Sequence, residues 1–124
     1  MKKEKKVTKA SIKRLQKREN NKNVKLWKTA VKDRDKHACV ICGSAKLVNA
    51  HHIIPYQILE FRCDIDNGIC LCPKHHKFSF KFSAHKNSFA FLIWFCYNRI
   101  EQYNRLFDKW VKYYTINREE LKKC

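Results

Sequence analysis

A chain of 124 residues is long enough for one domain and too short for two, and its formal charge of +17, from 28 Lys and Arg against 11 Asp and Glu, asks for a polyanionic partner. No apolar run approaches the length of a spanning helix and Met1 to Lys9 lacks the hydrophobic block of a signal peptide, so nucleic acid is expected rather than a membrane, in an intracellular setting. The seven cysteines are odd in number and bunch beside histidines, which fits thiolate metal ligands better than a disulfide framework.

Residues 1–26 hold eleven Lys and Arg against Glu4 and Glu19, more than half of the excess charge. With few apolar residues, 1–25 reads as a flexible or marginally helical arm. Such an arm either orders on a phosphate backbone or merely solubilises the chain. A short helix is predicted from Leu26, with Leu26, Trp27, Ala30 and Val31 on one face, stopping near Asp33 to Asp35. Cys39-Val-Ile-Cys42-Gly43 reads as a metal knuckle in which Gly43 permits a tight turn. Leu47 to Ile54 reads as a strand ended by Pro55, followed by a loop, a second short strand over Ile69 to Cys72, and a helix starting at Pro73. Beyond Ser83 the chain turns aromatic, and two helices are predicted at 88–98 and 101–113, with Leu92, Phe95, Leu106, Phe107 and Trp110 as packing candidates. The expected division is a basic arm over 1–25, a metal-braced core over 26–82 and a helical extension over 83–124, an α+β chain.

Two constellations carry chemistry. Cys39-x-x-Cys42 and, thirty residues after it, Cys72-x-x-His75 are two pairs of equal spacing that together close one tetrahedral zinc site. Four protein ligands leave no open position, so this ion is structural. Cys63 and Cys70 are possible substitutes, Cys70 being read as a half-buried strand residue. The second constellation is His51, His52, Asn67 and His76. Neighbours on a strand face opposite ways, so His51 and His52 should differ in role, one holding a metal and one free to take a proton, unless a bend at the strand end lets both border one cleft. On a helix His75 and His76 diverge by about 100°, so one can serve the zinc while the other faces the cleft.

Cys39-Val-Ile-Cys42-Gly43, Ala50-His51-His52-Ile53-Ile54-Pro55 and Asn67-Gly-Ile-Cys-Leu-Cys72-Pro-Lys-His75-His76 resemble the HNH endonucleases, in the zinc-braced subgroup found among phage and mobile-element nucleases. The resemblance covers roughly residues 33 to 80 and implies a small ββα-metal core. It makes His51 and His76 ligands of a catalytic divalent ion, His52 the general base, and Asn67 a residue that orients the base or reaches the metal. Magnesium or manganese is the implied ion, with zinc or nickel as alternatives, beside the structural zinc on Cys39, Cys42, Cys72 and His75. The substrate implied is double-stranded DNA, cut to 5′-phosphate and 3′-hydroxyl ends by a monomer or a homodimer. Two departures stand out. His75 occupies a position where many zinc-braced members have cysteine, and Phe80 a position where members with three histidines have the third. His85 is then a candidate for the missing ligand or for contact with the scissile phosphate. A zinc-containing DNA-binding module without hydrolytic activity is the alternative.

Overall fold

The computed structural model describes residues 3–123, leaving Met1, Lys2 and Cys124 outside. The arm and the first predicted helix are continuous: α1 spans Lys9–Arg34. Its start is a capping box, in which the Ser11 amide donates to Thr8 Oγ1 at 3.1 Å and the Thr8 amide donates to Ser11 Oγ at 2.9 Å. Its end is Asp35, after which Lys36 and His37 both take left-handed φ of 58° and 54° and turn the chain back. Thr8 and Ser11 supply a helix start that apolar patterning does not reveal, which is why only the last third of α1 was legible as helix.

The strands β1 (Asn49–His52) and β2 (Gly68–Leu71) form an antiparallel pair with Ala50 opposite Cys70, His51 opposite Ile69 and His52 opposite Gly68. β1 is half its predicted length, and β2 keeps its predicted length one position earlier in the chain. Alternation assigns the two sheet faces. Ala50 packs with Trp27 and Val31 of α1 in a small cluster. Ile69 and Leu71 belong to the main core, with Cys39, Phe61, Cys72, Phe91, Phe95 and Leu106. The sheet therefore lies between α1 on one side and the helices α2 (Ser88–Asn98) and α3 (Ile100–Ile116) on the other. A last short helix, α4, spans Arg118–Leu121.

Gly68 lets α1 lie directly on the sheet. A Cβ there would fall 2.3 Å from Val31 Cγ2 and 2.6 Å from Trp27 Cζ2, closer than carbon atoms approach. Asp35 ties the layers together: its side chain is 1% exposed and accepts hydrogen bonds from Arg34, from Arg99 Nη2 at 3.0 Å and from the Cys70 amide at 2.9 Å. Burial alone would raise its carboxyl, but these donors outweigh burial and hold it below the ordinary value. Gln102 does similar work from α3, donating from Nε2 to the Asp66 and Gly68 carbonyls, each at 2.9 Å.

Three expectations need correction. The helix predicted from Pro73 is a five-residue π-helical turn over Lys74–Phe78, followed by irregular chain. Cys70 is fully buried, and burial pushes its thiol up to about 11, with the Asp35 charge adding to the effect. Of the packing candidates on α2 and α3, Phe95 and Leu106 are core, whereas Leu92 and Phe107 are 46% and 51% exposed on the rim of an apolar groove.

Candidate functional site

The knuckle Cys39–Cys42 sits in a tight turn closed by the Gly43 amide donating to the Cys39 carbonyl at 2.8 Å, with Gly43 at φ +77°. Cys72 directly follows β2 and His75 is the second residue of the π-helical turn, so one ligand pair lies on each side of the chain reversal. The four donor atoms lie within 4.8 Å of one another. Cys42 Sγ to Cys72 Sγ is 3.7 Å, Cys39 Sγ to His75 Nδ1 is 3.6 Å and Cys72 Sγ to His75 Nδ1 is 3.2 Å. With zinc–sulfur bonds of about 2.3 Å, the edges of a tetrahedron measure about 3.7 Å, so the donor set suits one metal ion. Sulfurs 3.7 Å apart are far outside disulfide length. A hydrogen bond from the Ser44 amide pulls the Cys42 thiol down, favouring the thiolate a metal needs.

The second cluster is made of His51, His76 and His85, whose donor atoms also lie within 4.8 Å of one another. His51 comes from β1, on the face toward α2, where its ring meets Phe91 edge-on at 5.6 Å. His76 comes from the π-helical turn and His85 from the segment that returns beside it, fixed by the His85 amide donating to the His76 carbonyl at 3.0 Å. The Nε2 atoms of His76 and His85 approach to 3.0 Å. That is the separation of two ligands at right angles, each about 2.1 Å from one ion. Burial, then the neighbouring imidazoles, drive the pKa of His51 down to about 3; burial, then His85 and Lys77, drive His76 down to about 4. Both rings are neutral at pH 7, the form in which imidazole binds metal.

His52 lies on the opposite face of the same strand. Its ring stacks on Trp27 at 3.8 Å between centroids and meets Tyr56 edge-on at 5.5 Å. Its Nε2–H donates to the Arg62 carbonyl at 2.8 Å, and since a carbonyl only accepts, the lone pair is on Nδ1. Burial, outweighing this bond and aided by Lys28 and Arg62, lowers the His52 pKa. Despite facing opposite ways, His51 and His52 both line one cleft of about 520 Å³ along the free edge of β1, together with His76, His85, Lys28 and Lys77.

Asn67 is fully buried and does not line that cleft. Its Oδ1 accepts from the Ile54 amide, and its Nδ2 donates to the carbonyls of Ile54 at 3.0 Å and Phe61 at 2.9 Å. Every polar atom of the side chain is used inside the loop between the strands. Sequence reasoning missed Arg62, whose side chain bonds the Tyr56 carbonyl at 2.9 Å and Asn20 Oδ1 at 2.7 Å while its own carbonyl holds His52. It missed Trp27 as the platform beneath His52 as well. Neither role leaves a mark in spacing, because both depend on α1 crossing the sheet.

Two antiparallel strands and a helical turn, with a Cys3His cluster behind them and histidines along one edge, define a small α+β protein with a ββα-metal core. Residues 39–83, a little over a third of the chain, match the family described as HNH endonuclease. No curated protein and no solved structure matches the chain. Among the described residues no helix is long and apolar enough to cross a membrane.

Proposed function

We propose that the chain is a metal-dependent DNA endonuclease that hydrolyses phosphodiester bonds to 5′-phosphate and 3′-hydroxyl ends. The observation that carries this reading is the His52 ring, whose only N–H is committed to the Arg62 carbonyl at 2.8 Å while its other nitrogen keeps a lone pair, in a cleft shared with three more imidazoles. A neutral, oriented imidazole is a proton acceptor at neutral pH. His52 takes a proton from water as the water oxygen attacks phosphorus in line with the leaving 3′ oxygen. His51, His76 and His85 would hold a divalent ion, which when bound would supply positive charge beside the leaving oxygen. Magnesium or manganese is the proposed ion, and imidazoles also accept zinc or nickel. Asn67 is a positioning residue that braces the loop carrying the Arg62 carbonyl. Zinc on Cys39, Cys42, Cys72 and His75 is structural, since four protein ligands close its shell.

Double-stranded DNA as substrate is supported by α1. At about 100° per residue, Arg14, Lys17, Arg18, Lys25, Lys28 and Lys32 fall within about a third of the helix circumference. Lys28 of this stripe lines the histidine cleft and Lys25 lines a hollow beside it. Both carboxylates of α1, Glu19 and Asp33, lie on the opposite strip with Ile12, Leu15 and Leu26. A straight basic rail leading to the cleft suits a duplex backbone.

The test is a plasmid assay with Mg2+ or Mn2+ and mapped ends. Wild type should nick, and His52→Ala should lose nicking while zinc content and DNA binding persist. A chain that binds duplex, keeps its zinc and nicks with none of these ions would be a non-catalytic zinc-containing DNA-binding module instead.

A further inference from the structure

The segment between His76 and His85 is held as a closed loop. Its base is a pair of backbone bonds, the Ala84 amide to the His75 carbonyl at 2.8 Å and the His85 amide to the His76 carbonyl at 3.0 Å. Inside, the Ser79 amide donates to the Lys74 carbonyl at 2.9 Å, the Phe82 amide to Ser79 Oγ at 3.1 Å, and Asn87 Nδ2 to the Lys81 carbonyl at 3.1 Å. The loop reads Lys77-Phe78-Ser79-Phe80-Lys81-Phe82. The last of its three aromatics is anchored: Phe82 meets the His75 ring edge-on at 6.0 Å. Phe78 and Phe80 are 65% and 76% exposed. Over the Phe80 ring lies a cation, Lys86 Nζ, 4.1 Å from the centroid. Lys77, at the base of the loop, lines the histidine cleft.

Core packing does not account for two exposed phenyl rings on a well-bonded loop between lysines. Alternating cations and aromatics do match a nucleic-acid strand, which offers phosphates and stackable bases at short intervals. Both ends of the loop are histidines of the cluster, so whatever the loop touches lies close to the backbone seated in the cleft.

We propose that residues 77–84 form an aromatic finger that places Phe80, supported by Phe78, against a nucleobase beside the phosphate in the cleft, with Lys77, Lys81 and Lys86 on the neighbouring phosphates. The occupant is duplex DNA at a step whose stacking the finger opens, as apolar wedges do elsewhere. This rests on the nucleic-acid reading above and adds a base contact to it. His85 sits beside His76, and Phe80 is left free to display its ring on the surface.

The test measures binding, so that it does not depend on catalysis. In the full chain carrying His52→Ala, affinity is compared for a fully paired duplex and for the same duplex with one central mismatch, whose bases are already partly unstacked. The chain should bind the mismatched duplex about tenfold more tightly, as a stacking contact of ordinary strength allows. With Phe78→Ala and Phe80→Ala added, the preference should vanish, while the slope of log affinity against log salt stays the same because no charge has changed. Unaltered zinc content and melting temperature show that the double variant folds, and Phe78→Leu with Phe80→Leu should keep part of the preference, since a branched aliphatic can still wedge. Equal affinity of the parent for both duplexes, or a preference that survives both Ala changes, overturns the finger. A wild-type chain that shows the preference but never nicks would refute the nuclease reading and leave the finger standing.

Discussion

Asp35 and His85 illustrate two ways in which a single residue matters to this site. Asp35 lies outside the histidine cleft, yet its carboxylate is the common acceptor for Arg34, Arg99 and the Cys70 amide. Asp35→Asn keeps the shape and removes the charge, leaving two guanidinium groups facing a neutral amide whose NH2 points at donors. Breaking a buried ionic partner typically costs about 3–5 kcal/mol, so a loss of about 3 kcal/mol is expected here, read from urea unfolding at neutral pH. A change too small to resolve from wild type would refute the role. His85 contributes one imidazole to a cluster of three. Its removal should raise the Mn2+ concentration for half-maximal nicking by on the order of 100-fold, the scale at which the loss of a metal-site partner is felt. Excess Mn2+ should restore most of the rate, because His52 and its Arg62 bond are untouched. These residues differ in how readable they were. The zinc-type ligands stand at telling intervals, so spacing alone singled them out, whereas His51, His52 and His76 were singled out by residue type and clustering together with the family resemblance. Asn67 stood out as well, but its use is decided by the loop it braces, and Asp35, Arg62 and Trp27 depend on partners more than twenty residues away along the chain.

At the scale of elements, α1 does two jobs along its length. Its C-terminal part packs Trp27 and Val31 on the sheet beneath His52. This packing requires Gly68, where a methyl would overlap both side chains. Gly68→Ala should therefore destabilise by about 1–3 kcal/mol, as overpacking does. It should also tilt the Trp27 platform, so nicking falls further than stability explains, which comparing rates well below the melting temperature will reveal. The N-terminal part of α1 carries the basic stripe. Replacing Arg14, Lys17 and Lys25 with Gln should reduce the magnitude of the log–log salt slope for duplex binding by roughly 0.9 for each phosphate that is no longer neutralised. Three matching changes on the opposite strip, at Ile12, Leu15 and Leu26, should leave the slope alone. Equal effects from the two faces would refute the rail. The existence of strand, strand and helical turn was readable because the motif residues bracket them, but their ends were not. β1 stops early where the chain bends to form the cleft, β2 is shifted by one residue, and the helix expected at Pro73 is cut to a single π-helical turn by a loop that must bring His85 back to His76.

For the molecule as a whole, the two metal clusters are coupled through the adjacency of His75 and His76. His75 Nδ1 belongs to the Cys3His set and His76 Nε2 faces His85, so the same short turn serves both clusters. Around it the apolar core is thin, with Cys39 and Cys72 themselves among its buried members. A small core that includes its own candidate metal ligands would be held in register by a bound ion, since structural zinc contributes directly to folding free energy. Cys42→Ser removes one exposed thiolate without opening a cavity, so its effect comes through metal binding. Zinc content should fall, the melting temperature should drop, and nicking should disappear because the turn no longer holds His76 against His85. The comparison with His85→Ala separates a framework defect from a ligand defect. Excess Mn2+ should rescue His85→Ala, where the framework is whole, and fail to rescue Cys42→Ser at a temperature where that chain is still folded by circular dichroism. Rescue of both to a similar extent would mean that the clusters act independently and that the shared turn does not couple them.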